Sequence, residues 1–360
     1  MKLSALALIL LLVQTPGLQV PAFGPPTRTP APTSPNELAT LRAGIALYEQ
    51  GKIDDAIAKF DEVLKDSPDN AMALYELALA NVAKKDYQRA IDLAAKATEF
   101  KGSAPEVAQY YGLIGNTLDL AREPKQAIEV YSKGLEYAPA ASLYYNMAVT
   151  YAQSLTDVPS AKTALKKGAT IDPSHAGTHL LLARLFLLDN LNTPALLALS
   201  RFLILEPGSA RTADAYQIWF RLLNGTLTQG AKSIEIAVNP SQKKEEGDLM
   251  QLDLHISLSK VAAMKSAEGR SQVQLLADQV EMLFGVYASS AAGDDSATFL
   301  WKYYMPFIAE MSQKKMVEPF VYYVSQRTNL PGVREWLTVN RERVLEFLAW
   351  AKQYQFPKTV

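Results

Sequence analysis

Alanine recurs at Ala56, Ala90, Ala127, Ala161 and Ala195, at intervals of 34, 37, 34 and 34 residues. A period of that size leaves few folds open. Each period is one small unit that cannot bury its apolar face alone, so neighbouring units must stack. About twelve residues before each alanine stands another small residue: Gly44, Ala78, Gly115, Ala148 and Ala183. Twelve residues after four of the alanines stands proline, at Pro68, Pro139, Pro173 and Pro207, while the second period has Gly102 there. The anchors have one mechanical meaning. Two helices cross closely only where small side chains meet, and proline ends the second helix.

The filling positions agree. Large residues stand four before and three after the first small residue, as in Leu74, Tyr111 with Leu118, Tyr144 with Tyr151, and His179 with Phe186; Asn81 departs from the pattern. Four residues after each alanine come Phe60, Ala94, Tyr131, Leu165 and Leu199. The pattern resembles the tetratricopeptide repeat (TPR) family in five copies, 37–70, 71–104, 108–141, 142–175 and 176–209. The third copy comes after a three-residue insertion. The fourth, YYNMAVTYAQSLTDVPSAKTALKKGATIDP from Tyr144, carries one extra residue in its inter-helix turn. The resemblance implies an all-α fold, a TPR superhelix of antiparallel helix pairs, here succeeded by a C-terminal helical domain.

The resemblance also implies that the first helix of each pair lines a concave, partner-binding face. On that reading the groove candidates are Leu41, Ile45, Tyr48, Tyr75, Leu79, Val82, Asn116, Asp119, Tyr145, Val149 and Arg184, with Gly112 and Leu180 at equivalent positions. The first two copies present an apolar and aromatic stripe. Family members that clamp a peptide's terminal carboxylate use lysine, arginine and asparagine there. These two copies offer no lysine on the face and only Arg42 near it, so an amphipathic or extended apolar protein segment is the expected ligand. The stripe can also be filled by the chain's own remaining segments.

The N-terminus reads differently. Met1-Lys2 precedes an apolar run, Leu3 to Val13, closed by Pro16-Gly17. Such a run is too short to span a bilayer and has the form of a secretory signal, assigned to 1–22. The expectation is export to a periplasm or outside the cell, with no membrane span after cleavage; the alternative is an uncleaved N-terminal anchor. Six prolines between Pro21 and Pro35 make 23–36 an extended linker.

Beyond the repeats, 212–224 reads as an amphipathic helix ended by Gly225, with Ala215, Ile218, Trp219 and Leu222 on one face, and 210–229 as the cap of the stack or its join to the next domain. Lys232–Val238 alternates like a short strand stopped by Asn239-Pro240, and SQKKEEGD, 241–248, reads as a solvated loop. Leu249–Met264 alternates in part, but its length, Asp248 and Gly269 favour helix. Ser271–Tyr287, a helix opened by Asp294-Asp295 and kinked at Pro306, Glu318–Gln326, Val333–Val339 and Arg341–Tyr354 complete a mainly helical region, 230–360, to which no family attaches. Its aromatic residues, from Trp301 to Tyr323, read as core.

Chemistry finds little foothold. With no cysteine there is no thiolate site, and a net charge of −1 lacks the basic footprint of a nucleic-acid binder. The three histidines are His175, His179 and His255. The first two have metal-ligand spacing, but His179 fills a packing position of its repeat. Asp54-Asp55 opens a helix, where acids complement the dipole. No catalytic, metal or cofactor motif is present. The expectation is a binding scaffold rather than an enzyme, with a protein or peptide partner and no cofactor. Two alternatives remain: the C-terminal domain is an unrecognised enzyme or ligand-binding domain (His255, Asp253, Glu310 and Glu318 being its polar candidates), or the stack assembles with itself.

Overall fold

A computed structural model describes residues 17–224, 227–229, 234–236, 245–246, 249–265, 268–291 and 298–358. Residues 1–16 of the leader, Gly225, Asn239-Pro240, Asp248 and Asp294-Asp295 lie outside them. The chain divides into two compact units, Met1–Pro139 and Ala140–Val360.

The first unit holds three helix pairs: α1 (Pro35–Glu49) with α2 (Ile53–Asp66), α3 (Ala71–Ala83) with α4 (Tyr87–Thr98), and α5 (Ala104–Leu120) with α6 (Pro124–Tyr137). Local chemistry starts these helices. Ser34 and Glu37, and again Ser103 and Glu106, form capping boxes with proline in the first turn. Asn70 and Asp86 cap α3 and α4, accepting from the amides of Ala73 and Arg89. Asp54 and Asp55 lie in the first turn of α2, as expected.

At the crossings, a Cβ on Gly44 would lie 2.5 Å from the Phe60 ring, and one on Gly115 would lie 2.2 Å from the Tyr131 ring. Glycine stands where the facing residue is aromatic. Where the facing residue is Ala94, Leu165 or Leu199, the small residue is alanine, and all of these side chains are buried. The two positions share a fixed volume between two backbones. Asn81 is buried and turns its amide back onto the Leu77 carbonyl, 2.7 Å away, which satisfies it within its own helix.

The proline-rich segment is extended, as expected, but it is not a spacer. The Arg28 guanidinium pairs with Asp69 and Glu99 and lies over the Phe100 ring. Thr27 and Arg28 donate to the Glu99 carbonyl, and Lys101 donates back to the Arg28 carbonyl. Phe23 meets Tyr111 edge-on at 5.2 Å, and Gln19 exchanges hydrogen bonds with Gln88. Arginine and phenylalanine, among the non-proline residues of this stretch, hold it on α4–α6.

The second unit holds α7 (Ala141–Val149) with α8 (Val158–Ile171), α9 (Ala176–Leu188) with α10 (Asn192–Leu205), then α11 (Ala210–Asn224), a hairpin of β1 (Leu227–Gln229) and β2 (Ile234–Ile236) with Leu227 opposite Ile236, α12 (Met250–Lys265), α13 (Gln272–Ala291), α14 (Met305–Gln313), α15 (Val317–Val324), α16 (Val333–Val339) and α17 (Arg341–Gln353). The extra residue of the fourth copy is absorbed in a π-turn, Thr150–Ser154, at the end of α7. A second π-turn, Leu300–Tyr304, precedes Pro306, whose missing N–H breaks the α-helical register there. On α11 the buried face is Thr212, Ala215, Tyr216, Trp219 and Leu223. Ala215 and Trp219 are inward as expected, with Trp219 Nε1 donating to Ser200 at 2.9 Å, but Ile218 and Leu222 are only half-buried and Thr212, Tyr216 and Leu223 complete the face in their place.

One backbone device runs through all five pairs. Gly51, Lys85, Arg122, Thr156 and Asn190 hold positive φ, and they repeat at the same 34, 37, 34 and 34 intervals as the alanines. The amide after each of four of them returns to a carbonyl five residues back; in the longer fourth copy Asp157 returns six back, to Tyr151. Lys315, between α14 and α15, makes the same turn. There the crossing positions hold Ile308 and Phe320, which are too large for two helices to meet closely. Both helices pack on α13 instead.

Candidate functional site

The groove candidates separate by unit. In the first, Leu41 is core rather than lining: it is buried among Ala56, Phe60, Leu77 and Ala80. Ile45 and Tyr48 on α1, and Tyr75, Leu79 and Val82 on α3, are half-buried. Met72 precedes Tyr75 by one turn and is 45% exposed; with Tyr75, Leu79 and Val82 it makes one apolar stripe along α3. Tyr110 of α5 meets Tyr75 with ring centroids 5.9 Å apart. Burial first, then neighbouring Glu76 and Tyr48, pushes the Tyr75 phenol up; burial alone pushes the Glu76 carboxyl up. Tyr48, Tyr75 and Tyr110 therefore form a row on three successive first helices.

Asn116 is exposed and accepts from the Tyr131 hydroxyl at 2.7 Å, so it serves the helix crossing as well as the face. Asp119 is half-buried, and Leu120 beside it is 59% exposed. Sequence spacing missed Tyr110, Glu76 and Met72. Tyr110 and Met72 lie outside a template of fixed offsets from the small residue, although Met72 is one helical turn before Tyr75. Helices α1, α3 and α5 contain no lysine, and Arg42 is their one cation.

In the second unit, Tyr145 packs its ring on His175 at 5.5 Å, Val149 is half-buried, and Arg184 is exposed with Asp214 at 3.9 Å. Leu180 is buried. Much of this unit's remaining polar chemistry is internal. Buried His179 bonds the Pro173 carbonyl through Nε2 at 3.1 Å and the Tyr304 hydroxyl through Nδ1 at 2.7 Å. A carbonyl can only accept, so Nε2 carries the proton and Nδ1 accepts from tyrosine. Burial, then Arg201, pushes this histidine down to about 3. His175 caps α9, its Nδ1 facing the Thr178 amide and hydroxyl. Both rings are committed, and among the described residues no three metal-binding side chains cluster.

The polar candidates of the C-terminal region do not converge. Asp253 is buried and accepts from the Thr193 amide and hydroxyl, capping α10 from another helix; burial pushes it up to about 6. Glu310 accepts from Trp350 Nε1, Glu318 pairs with Arg343, and His255 bonds the Gln251 carbonyl. Of Glu245 and Glu246, expected in a solvated loop, Glu245 is exposed in a turn and Glu246 is buried instead. Lys162, only 2% exposed, pairs with Asp189 and Glu245; Lys166 pairs with fully buried Glu246, which also accepts from the Leu300 amide. Two lysines one turn apart on α8 hold both acids, Glu246 drawn fully inward and Glu245 left at the surface. Tyr303, Tyr304, Phe307, Phe320 and Tyr322 are buried core, as expected.

Residues 41–105 match the tetratricopeptide repeat family, and residues 108–140 match it again. The Hsp70-Hsp90 organising protein of Plasmodium falciparum is 27% identical over 140 residues, 38% of this chain and 23% of that relative, so the match spans under a quarter of the relative's length. A TPR protein of Thermus thermophilus is similar over 51% of this chain and all of its own, at 22% identity and a TM-score of 0.42. A Pseudomonas aeruginosa protein, pilF, is similar over 65% of this chain and 93% of its own, at 16% identity and a TM-score of 0.41.

Proposed function

We propose, for a chain whose residues 41–140 carry tetratricopeptide repeats, that the α1–α3–α5 face of the first unit binds an apolar or amphipathic segment of another protein. Tetratricopeptide repeats mediate protein–protein interaction, and the coarse reading of this chain as a helical protein-binding scaffold rests on them. One observation carries the finer reading. The Tyr48–Tyr75–Tyr110 row, with Leu79, Val82 and exposed Met72, forms a continuous apolar and phenolic face on helices that hold no lysine. Such a face suits the i, i+3, i+4 anchors of an amphipathic helix and gives a carboxylate terminus nothing to pair with except Arg42. The proline-rich segment lies along the second helices α4 and α6, and Phe23 meets α5 at the buried Tyr111 rather than at Tyr110 of the row.

Tyr75→Glu and Leu79→Glu place a charge at half-buried surface positions and are expected to abolish partner capture while preserving the fold. Cross-linking mass spectrometry on wild-type and variant chains in a native extract tests this, with circular dichroism as the fold check. Capture that survives in a folded variant overturns the reading. Cross-links from this face only to residues 230–360 of the same chain mean that the face is internally filled.

Export belongs to the same proposal. Among the described residues no helix is long and apolar enough to cross a membrane. Cleavage after Ala22 would remove the Gln19 contacts with Gln88 and keep those of Phe23 and Arg28. A mature N-terminus at Phe23 supports export; a membrane-bound chain beginning at Met1 supports the anchored alternative.

A further inference from the structure

The second unit holds a cleft of about 470 Å³, between α11, the start of α13 and the turn after α15. That volume falls within the range of small-molecule sites, about 300–1,000 Å³. Its floor is aromatic and aliphatic: Tyr216 and Phe220 are stacked at 6.1 Å and 18°, with Val324 beside them. The Tyr216 hydroxyl is already committed to Ser325 Oγ at 3.1 Å, so the ring offers its face rather than its oxygen.

The lining carries one cation, Arg327, and no carboxylate among the described residues. Arg327 makes no ion pair or hydrogen bond with any described residue. The nearby acid, Glu206, is already held by Arg211 and Ser209. The guanidinium lies close over Gly208: a Cβ there would be 3.0 Å from Nη2. Gln217 and Asn329 supply amide groups at the cleft's edge. A guanidinium with no partner among the described residues, beside an aromatic floor, has a definite complement. Its planar fork matches a carboxylate in bidentate fashion, and a single positive charge balances a monoanion but only half of a phosphate dianion.

We propose that this cleft binds a carboxylate joined to an aromatic or branched apolar group, the carboxylate on Arg327 and the apolar group on Tyr216 and Phe220. Two sources supply that chemistry, a free organic acid and the C-terminus of a peptide. The site is separate from the face of the first unit and stands whether or not that face binds a partner.

Calorimetric titration of the full chain tests it, with indole-3-acetate against indole-3-acetamide, acetyl-Ala-Ala-Phe acid against its amide, and inorganic phosphate. At least one acid is expected to bind, with its amide at least about tenfold weaker. The tighter acid identifies the source. Arg327→Gln, at an exposed turn, is expected to weaken the acid about tenfold and to leave the amide unchanged. Gly208→Ala, which crowds the guanidinium without removing it, is expected to weaken the acid several-fold. Equal binding of acid and amide, equal binding by Arg327→Gln at an unchanged melting temperature, phosphate binding as tight as either acid, or no acid binding below about 5 mM overturns the proposal.

Discussion

The two units are built from the same helix pair and both carry surface ion pairs, but among the described residues only the second also buries charged side chains. In the first unit the ion pairs are at the surface: Lys84 with Asp54, Lys59 with Glu62, Arg28 with Asp69 and Glu99. Its core holds no charged side chain among the described residues, and its distinctive face is a row of half-buried tyrosines. In the second unit the pairs α7–α8 and α9–α10 are locked to later helices by buried polar groups. Lys162 and Lys166 hold Glu245 and Glu246, Thr193 holds Asp253, Tyr304 holds His179, and Arg201 donates to the carbonyls of Pro173 and Ala351. The contacts that bind later helices to pairs four and five explain why the packing boundary falls at Pro139–Ala140, whereas the repeat pattern itself runs on to Pro207. A shared repeat therefore supports two roles: one half presents a surface, and the other is consumed as scaffold.

The sharpest way to break this contrast is to remove one buried charge. Lys162→Met takes the buried ammonium from Asp189 and Glu245 and is expected to cost about 3–5 kcal/mol in urea unfolding of the second unit, the usual cost of breaking a buried pair by removing one partner. Adding Asp189→Asn and Glu245→Gln is expected to recover most of that loss. The surface counterpart, Lys84→Met, is expected to cost less than about 0.5 kcal/mol. Equal losses at Lys162 and Lys84 would erase the distinction.

The second test is pH, and two buried groups of the second unit pull in opposite directions. His179 is pushed down to about 3, so between pH 6.5 and 3 the unfolded chain takes a proton that the folded one refuses, and stability falls as pH falls. Asp253 is pushed up to about 6, so between pH 4 and 6 the folded chain keeps a proton that the unfolded one has released. Stability then falls as pH rises through that window and is level above it. At full extent the effects are on the order of 3 kcal/mol for Asp253 and 5 kcal/mol for His179. Asp253→Asn keeps the oxygen that accepts from Thr193 and removes the titration, so unfolding midpoints are expected to rise more steeply from pH 4 to 6. His179→Gln is expected to flatten the same rise. Unchanged slopes in both variants would place the pH dependence elsewhere.

These groups also mark where sequence reading stopped. The pairs were legible because the small crossing residues, the prolines and the filling positions are local and periodic. The left-handed turn shares that period, but its residues, Gly51, Lys85, Arg122, Thr156 and Asn190, have no common chemistry, so the backbone alone reveals it. The same turn at Lys315 sits between helices without small crossing residues, and no repeat signal accompanies it. On the candidate face, the half-buried positions Ile45, Tyr48, Tyr75, Leu79 and Val82 came from helical spacing. Leu41 departs from that spacing, and so do its equivalents Gly112 and Leu180, because this offset faces the core in three of the five pairs. Contacts such as Asp253 with Thr193 join residues far apart in the chain and obey no period. Arg28 in a proline-rich stretch looked like part of a tether because nothing local shows that Asp69 and Glu99 await it.

A smaller effect tests the volume rule at the crossings. Gly115→Ala places a Cβ 2.2 Å from the Tyr131 ring, which is also tied to Asn116 and cannot swing freely. Overpacking of this kind is expected to cost about 1–3 kcal/mol in the first unit. Tyr131→Leu in the same chain recreates the alanine–leucine pairing of the fourth and fifth repeats. The double variant is expected to be less destabilised than the sum of the singles by about 1 kcal/mol or more. Additive losses would show that the two positions do not share one volume.

A further small effect concerns the segment whose sequence has the form of a spacer. Arg28→Ala removes two ion pairs whose side chains are 40–53% exposed, and a guanidinium 4.7 Å above the Phe100 ring. Exposed pairs contribute little, so the loss is expected to stay below about 1 kcal/mol at low salt. Part of it should vanish in about 1 M salt, where the ionic component is screened, and the part that comes from packing on Phe100 should remain. Phe23→Ala, which removes the edge-on contact with Tyr111, should show a loss that salt does not change. If neither substitution moves the unfolding midpoint of the first unit at any salt concentration, the segment lies on α4–α6 without stabilising them, and the contrast between a surface-braced unit and an internally locked one loses its first half.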